Sequence, residues 1–487
     1  MCLWYSIEST TPVTPSILPM VVYPLFGVVH SELTCMSYTI NASFVFMLAC
    51  FVAITLENSK ACDYMAYKWV SFFSHKPRRL HISVCLVSYV LSLCVQDAIV
   101  CALMIPLSRG IVQALENISI GHVYDETIEV QEDRPAYPTK LTIGFLLGAA
   151  FSVHIGGIAT LSGSDVGYTL QDLYFGIIPG AKGGPITYMT YLAIAAPFSI
   201  ILFILNLIYL QVIFLGLFRK NSPTNLMYDD QASKDAIKAA ISELPPMNLH
   251  QQMSIAFWIV LYVSAFFLRP VFMPGIADLI SGVVVKHSAI LMLISLFLFY
   301  LPKAADCCPY FICRKPKSYA TIPSILGWNT AQKTMPWNYF FIYSGSMAMG
   351  FGMKRTQWQE CVNWFKGLNA ALQIILWILT VGGISVIGSD FLIADLFIPW
   401  AVRQNFDSLP HPGVLMYAIA LGCRATFFLP VSSVSNCFAC GWMNIRARDV
   451  MLASIVPVLV GLLLSFVFVI ALVPLVHPAF REVMTGK

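Results

Sequence analysis

Ionisable side chains interrupt the apolar segments of this 487-residue chain at a few places. A charged group inside a bilayer is costly, so such residues are candidates for ion binding, substrate binding or proton transfer. The alternative for each acid is a structural role, as a buried partner of an arginine or of backbone amides. For a histidine, a packing role is the more common outcome. The residues are Asp97, Asp165, Asp390, Asp395, His154 and Arg424.

Small polar side chains accompany these charges in both halves of the chain. Ser92 lies four residues before Gln96, and Ser385 lies four residues before Ser389, a spacing that places each pair on one helical face. Hard cations such as Na⁺ prefer oxygen ligands, whereas an anion prefers hydroxyls, amides and helix N-termini. The serines and acids therefore fit a cation site. The side chains suited to an anion are Ser164, Ser433 and Asn436.

The elements that must position these groups are apolar segments broken by small and polar residues. HIGGIATLSGSDVG and FFLPVSSVSN each interrupt an apolar run, and each follows an earlier interruption, CVQDA or GSDF. Non-helical backbone at membrane depth survives only around a cavity or a bound solute. Broken segments at matching places in two halves point to a transporter's binding site. We therefore expect Ser164 and Ser433 to lie in one cavity near the bilayer midplane.

The composition indicates an integral, multi-pass membrane protein. The chain is 58% hydrophobic and 11% charged, with a mean hydropathy of +0.73, against about 25% charged residues in a soluble domain. The net charge of +4 is small, which gives no support to nucleic-acid binding. No P-loop or hydrolase motif is present, so we expect no enzyme activity. An intramembrane protease would need Asp97 and Asp390 to converge, but the Gly-x-Gly-Asp context is absent.

The fourteen cysteines do not indicate a disulfide framework. Several lie inside apolar runs, where cysteine packs as a small hydrophobic residue. Cys307, Cys308 and Cys313 lie instead in a basic loop beside a membrane segment. We expect free thiols there, with palmitoylation as the alternative. Zinc binding is disfavoured because no nearby histidine completes a ligand set.

Two stretches, 80–115 and 368–402, are long enough to enter and leave the membrane on one side. We predict that both are re-entrant hairpins. The basic loops place the C-terminus outside the cytoplasm, and 116–140 and 219–252 inside it. The sequons at Asn41 and Asn117 then face the cytoplasm and stay unglycosylated. A cleavable signal peptide is not expected, because the N-terminus lacks a basic region.

These motifs resemble the divalent anion/sodium symporter family, the sodium-coupled dicarboxylate, citrate and sulfate transporters. LSLCVQDAIVCALMIP and GSDFLIADLFIP resemble its two hairpins, and HIGGIATLSGSDVG and FFLPVSSVSN its two broken helices. The resemblance covers almost the whole chain. It implies an all-α polytopic membrane protein with inverted repeats. It also implies a homodimer in the plasma membrane, in which a transport domain slides past a fixed scaffold by an elevator mechanism.

The same resemblance divides the chain into five units. Scaffold helices of the first repeat occupy 1–79, and the first hairpin, broken helix and following helix occupy 80–218. A cytoplasmic loop at 219–252 separates the repeats. Scaffold helices of the second repeat occupy 253–367, and the second hairpin, broken helix and last helix occupy 368–487.

Ligand positions are also implied by the resemblance. Sodium ions are the expected coupling ions, with no other cofactor. The implied sodium ligands are Ser92, Gln96, Asp97 and Gly163 at one site and Ser385, Ser389, Asp390 and Ser432 at the other. The implied substrate contacts are Asp97, Ala98, Ser164, Asp390, Phe391 and Ser433.

The chain departs from the family at its binding motifs. The Ser-Asn-Thr of each hairpin tip is replaced by Gln-Asp-Ala at 96–98 and by Ser-Asp-Phe at 389–391. Val166 and Gly167 replace the Pro-Asn after the first break, and Arg424 replaces a small residue before the second. The family's first helix has no counterpart here, which indicates an incomplete gene model or a shortened paralogue.

The new aspartates set the functional alternatives. Two ionised aspartates about 4 Å from a dicarboxylate repel it by several kcal/mol, so a cation or proton must neutralise them, or the substrate is not a dianion. Arg424 would offset one charge by pairing with Asp390 or Asp395. We predict a secondary active transporter that carries di- or tricarboxylates, or a related anion, in symport with a cation, sodium. The alternatives are a transport-dead paralogue with a binding or regulatory role and a proton-coupled carrier.

Overall fold

The computed structural model describes residues 13–74, 76–125, 136–177, 186–218, 230–280, 285–303, 323–356, 365, 368–403 and 412–477. Within these ranges the chain is helical, with two isolated bridges and no extended strand. This confirms the predicted all-α class. The cysteine cluster at 307–313 lies outside the described residues.

The described helices run in chain order as follows. They are α1 Val13–Leu25, α2 Ser31–Tyr38, α3 Asn41–Asn58, α4 Ala61–Phe73, α5 Pro77–Ser92, α6 Asp97–Asn117, α7 Lys140–Gly156, α8 Asp165–Ile177, α9 Tyr188–Ile213, α10 Asp230–Ser242, α11 Leu249–Leu268, α12 Ile276–Leu279, α13 His287–Tyr300, α14 Trp328–Thr334, α15 Trp337–Arg355, α16 Ala370–Ser385, α17 Asp390–Arg403, α18 Pro412–Arg424, α19 Val434–Met443, α20 Ala447–Ala471 and α21 Val473–Val476.

In the described ranges, five helical stretches are long and apolar enough to cross a membrane. They are Ser31–Asn58, Asp97–Asn117, Tyr188–Ile213, Leu249–Leu268 and Ala447–Val476. In the last two, only 28% and 33% of the most apolar 18-residue segment is buried inside the protein. Their apolar outer surfaces are those of helices that face lipid, because a helix satisfies its own backbone hydrogen bonds there. The chain is thus an integral, multi-pass membrane protein, as predicted.

The helix α6 has the length of a full membrane crossing, with 21 residues. It forms the second half of the stretch that we predicted as the first re-entrant hairpin. In its most apolar 18-residue segment 83% is buried, a far larger share than in the corresponding segments of α11 and α20. The helix therefore packs among other helices, and length alone does not distinguish a hairpin arm from a crossing.

All four predicted polar interruptions end one helix and begin another. The first predicted hairpin breaks at 93–96, between α5 and α6, and the second at 386–389, between α16 and α17. The two longer breaks are 157–164, between α7 and α8, and 425–433, between α18 and α19. A short 3₁₀ helix, Pro430–Ser432, lies inside the last of these.

Small residues let α5 and α7 pack closely beside the first break. A Cβ added to Gly156 would lie 2.5 Å from the carbonyl oxygen of Tyr89, so only glycine fits there. The Ser92 hydroxyl donates to the Val153 carbonyl at 2.6 Å. This packing holds the end of α5 against the last turn of α7, where the chain breaks.

Candidate functional site

Four helices begin at the four breaks. Asp97, Asp165 and Asp390 are the first residues of α6, α8 and α17, and Ser433 caps α19. The N-terminus of a helix carries partial positive charge and free amide groups, which stabilise a nearby carboxylate. Three of the four acids that stood out in the sequence are therefore placed where the backbone favours negative charge.

Arg424 connects two of these helix starts. It is the last residue of α18 and is buried, with 3% of its surface exposed. Its Nη1 donates to Asp97 Oδ2 at 2.9 Å and to Asp390 Oδ2 at 2.8 Å. Both aspartates are also buried. A single guanidinium thus bridges the starts of α6 and α17, one from each half of the chain.

His154 and Arg424 hold each other through their backbones. The Nη2 of Arg424 donates to the His154 carbonyl at 2.6 Å, and Nε2 of His154 lies 2.9 Å from the Arg424 carbonyl. The other ring nitrogen, Nδ1, lies 3.9 Å from Asp97 Oδ2. His154 therefore joins α7 to α18.

Gln96 and Asp165 form a second polar link at the site. Gln96 directly precedes α6, and its side-chain amide donates to the carboxylate of Asp165 at the start of α8. Gln96 does not share a helical face with Ser92, contrary to the spacing argument, because α5 ends at Ser92. Ser385 and Ser389 differ from the expectation in the same way, since α16 ends at Ser385.

An enclosed cavity lies among these groups, with a volume of about 20 Å³. A cavity of that size holds about one water molecule. Its lining residues are Ala42, Val45, Gln96, Asp97, Ala98, Asp165, Tyr343, Asp390, Arg424 and Val434. With all groups ionised, three carboxylates face one guanidinium, so the lining carries an excess of two negative charges. The enclosed cavity, in the conformation observed, therefore suits a cation or a proton.

A wider cleft of about 800 Å³ adjoins the enclosed cavity. Asp165 and Ala42 line both spaces. Phe391 lines the cleft and is absent from the lining of the enclosed cavity, although we expected it to contact substrate beside Asp390. The cleft is large enough for a small organic molecule.

Asp395 is not a partner of Arg424. It lines the cleft and pairs with Lys354, whose Nζ lies 2.6 Å from Oδ2 of the aspartate. Asp395 lies five positions after Asp390, which places it about 140° further round a helix with 3.6 residues per turn. The two aspartates of α17 therefore face different spaces.

The predicted sodium ligands are assembled to different extents. At the first set, the Ser92 hydroxyl donates to Asp97 Oδ1 at 3.1 Å, and a Cβ added to Gly163 would lie 2.7 Å from the Ser92 carbonyl. Of the second set, Ser389 contacts Asp390 at 3.4 Å, whereas the Ser432 hydroxyl donates to the Leu429 carbonyl at 2.7 Å. No group of three His, Cys, Asp or Glu side chains suited to a metal ion occurs in the part of the chain that the structure describes.

The serines in the longer breaks cap the helices that follow. The Ser164 hydroxyl accepts from the Gly167 amide at 3.2 Å, and that of Ser433 accepts from the Asn436 amide at 3.3 Å. Asn436 donates to the Phe427 carbonyl at 2.9 Å. None of Ser164, Ser433 and Asn436 lines the enclosed cavity or the cleft. In this conformation all three hold the backbone of the breaks.

Sequence reasoning missed several lining residues. Ala42 and Val45 of α3 and Tyr343 of α15 close the enclosed cavity from outside the broken helices. Their side chains carry no charge, so a search for ionisable groups in apolar segments does not mark them. Arg269 and Lys354, which line the cleft, were also missed because they fall at helix ends, where charged residues are common.

Broken helices around a buried charged centre, in a chain with several membrane-crossing helices, define a membrane transport protein. Residues 2–402 match the family model described as Citrate transporter. The chain belongs to this family, which confirms the predicted family and a transport function.

Curated relatives match the chain at low identity over most of its length. "Protein I'm not dead yet" of Drosophila melanogaster is 26% identical, over 96% of this chain and 82% of the relative. Na(+)/dicarboxylate cotransporter 3 of Homo sapiens is 21% identical, over 95% and 85%. Na(+)/citrate cotransporter of Mus musculus is 22% identical, over 96% and 88%.

Proposed function

We propose that the chain is a secondary active transporter that carries di- or tricarboxylates across the plasma membrane together with a cation, sodium. The observation that carries this proposal is the bridge from Arg424 to Asp97 and Asp390. A guanidinium that holds two carboxylates at the starts of two helices already has the chemistry that a substrate's carboxylates need. The names of the relatives supply the substrate class and the coupling ion.

The charge of the site explains why a cation accompanies the anion. The lining of the enclosed cavity carries three carboxylates and one guanidinium. A dicarboxylate placed beside them is repelled unless positive charge enters with it. Gln96 and Asp97, two of the four residues in the first group of predicted sodium ligands, line this cavity, and Ser92 contacts Asp97. Their oxygen atoms support binding of a hard cation there.

The cycle follows from the small volume of the enclosed cavity. A space of about 20 Å³ cannot admit a tricarboxylate, so loading requires that the helix starts separate. We propose that this occurs as an elevator-type motion of the hairpins and broken helices, 80–218 and 368–487, within a homodimer with inverted repeats. The family resemblance and the matched breaks support this part of the proposal.

Uptake into proteoliposomes tests the proposal. Labelled succinate, citrate and sulfate are offered to the purified protein with an inward Na⁺ gradient, with an inward proton gradient and with neither. We expect accumulation of succinate or citrate that requires Na⁺. Accumulation that follows the proton gradient alone would identify a proton-coupled carrier. No uptake of any of the three anions by correctly inserted protein would contradict a transport function.

A further inference from the structure

The cleft beside the enclosed cavity contains two ion pairs that join helices across it. Arg269 lies directly after α11 and makes a bidentate ion pair with Asp172 of α8. Its Nη1 donates to Oδ2 at 3.0 Å, and its Nη2 donates to Oδ1. Lys354 of α15 pairs with Asp395 of α17 at 2.6 Å. The two pairs therefore tie α8 and α17, which carry Asp165 and Asp390, to neighbouring helices.

Both pairs are open to solvent. The side chains of Arg269 and Asp172 are 30% and 53% exposed, and those of Lys354 and Asp395 are 48% and 27% exposed. Exposed ion pairs contribute little net stability, because water solvates the separated charges well. A carboxylate that arrives from solution can therefore exchange with either aspartate at small cost.

Arg269 has contacts in addition to its pair with Asp172. Its guanidinium lies over the ring of Tyr168, 5.4 Å from the centroid, and the Tyr168 hydroxyl donates to its backbone carbonyl at 3.1 Å. The fork of the guanidinium is thus pre-organised for a carboxylate. The two-point contact to Asp172 has the geometry that a free carboxylate adopts with arginine.

The formal charges of the side chains that line the cleft cancel, apart from that of Asp165. Its other charged lining residues are three acids and three bases, Asp172, Asp278 and Asp395 with Arg269, Lys286 and Lys354. At Arg269 and Lys354, anion binding is therefore an exchange, in which an acid of the protein gives up its partner to an acid of the ligand. Two such partners in one cleft match a ligand with two or more carboxylates.

We propose that Arg269 and Lys354 form an entry site that binds two carboxylates of a di- or tricarboxylate in exchange for Asp172 and Asp395. The inference rests on the proposed function, and it names the first binding station of the same substrate. The exchange releases α8 from Arg269 and α17 from Lys354. The first residues of these helices, Asp165 and Asp390, line the enclosed cavity, so loading the entry site releases two of the helices that form it.

Four variants test the entry site. Arg269→Gln and Lys354→Gln remove its cations, and Asp172→Asn removes the competitor of the substrate. Glu57→Gln is the matched control, since Glu57 pairs with Arg109 outside the cleft with both side chains 30% exposed. Each protein is purified, and succinate and citrate binding is measured by calorimetric titration, beside initial rates of uptake.

We expect the Kd and the KM for citrate to rise about tenfold or more in Arg269→Gln and Lys354→Gln, and to fall about threefold to tenfold in Asp172→Asn, with kcat changing less. Glu57→Gln should match the parent. Propionate, with one carboxylate, should bind far more weakly and show a smaller dependence on the second cation. This opposite response of a base and its own acid is not expected of pairs that only stabilise the fold.

Two results would overturn the entry site. One is a parent that binds citrate while Arg269→Gln and Lys354→Gln bind it equally well. The other is a shift of Asp172→Asn in the same direction as Arg269→Gln. A parent that binds citrate but does not accumulate it would contradict the proposed function and leave the entry site supported by the variants. A parent that binds neither anion would contradict both.

Discussion

The Nη1 atom of Arg424 lies 2.9 Å from Oδ2 of Asp97, although 327 positions separate the two residues along the chain. The contact joins the end of α18, before the second long break, to the start of α6, after the break at 93–96. The two halves of the chain thus meet at one buried ion pair. Its removal should affect stability, anion binding and ion dependence together.

Arg424→Gln should destabilise the protein, because Asp97 and Asp390 lose their buried cation. Removal of one partner of a buried ion pair costs about 3–5 kcal/mol. Thermal unfolding in detergent, followed by tryptophan fluorescence, measures the loss. Arg109→Gln is the control, since its partially exposed pair with Glu57 is worth about 0–1 kcal/mol. Adding Asp97→Asn and Asp390→Asn to Arg424→Gln should restore part of the lost stability. Equal stability of Arg424→Gln and the parent would contradict the argument.

The double change Asp97→Asn and Asp390→Asn should raise dicarboxylate affinity. It removes two charges without a change in volume and frees Arg424 for the substrate. Two charges about 4 Å apart interact by about 4 kcal/mol at an effective dielectric near 20, so a decrease of at least tenfold in Kd for succinate is expected. Asp63→Asn, outside both the enclosed cavity and the cleft, is the control.

The same double variant also reports on the coupling ion. If Asp97 and Asp390 complete cation sites, the dependence of uptake on Na⁺ or on protons should weaken while the protein stays folded. A double variant that matches the parent in both anion binding and ion dependence would favour the transport-dead alternative.

Gly157→Ala should disturb the buried cluster directly. A Cβ at this position would lie 2.4 Å from Asp97 Oδ1 and 2.8 Å from Arg424 Nη2, so the ion pair must move. Overpacking of this kind costs about 1–3 kcal/mol. Gly176→Ala in α8 is the matched control, because nothing lies within 4 Å of its added Cβ. The thermal unfolding temperature and the affinity for citrate should both decrease for Gly157→Ala. For Gly176→Ala both should remain unchanged or increase slightly.

Cysteine labelling should distinguish the cleft from the enclosed cavity. Ala277→Cys places a thiol in the cleft, whereas Ala98→Cys places one in the enclosed cavity, where Ala98 is 3% exposed. Both purified variants are treated with a charged thiol reagent, and modification is followed by intact mass. Ala277→Cys should react about tenfold faster or more than Ala98→Cys. This ratio is expected if the enclosed cavity must first open across a barrier of at least about 1.4 kcal/mol. The parent corrects for native thiols such as Cys35, which is exposed. Equal rates for the two variants would mean that the cavity is not closed.

The positions of the helix breaks were determined by the sequence itself. Gly, Ser and Asp weaken helices or cap their starts through contacts within a few residues, so the four interruptions could be read without any tertiary information. The caps at Ser164 and Ser433 are local in the same sense. The apolar length of the segments likewise fixed the membrane class, because a bilayer sets the length of a spanning helix.

The choice of partners was decided only by the tertiary structure. The sequence offered each of its four membrane acids as a possible buried partner of Arg424, and it singled out Asp390 and Asp395 rather than Asp97. Packing turns one face of α17 toward Arg424 and the other toward Lys354, and it brings α6 from the other half of the chain to the same guanidinium. A pairing of this kind depends on which helix faces meet in three dimensions. Local preferences carry no information about contacts between residues hundreds of positions apart, which is why the closed ion cluster and the cleft beside it became visible only in the folded protein.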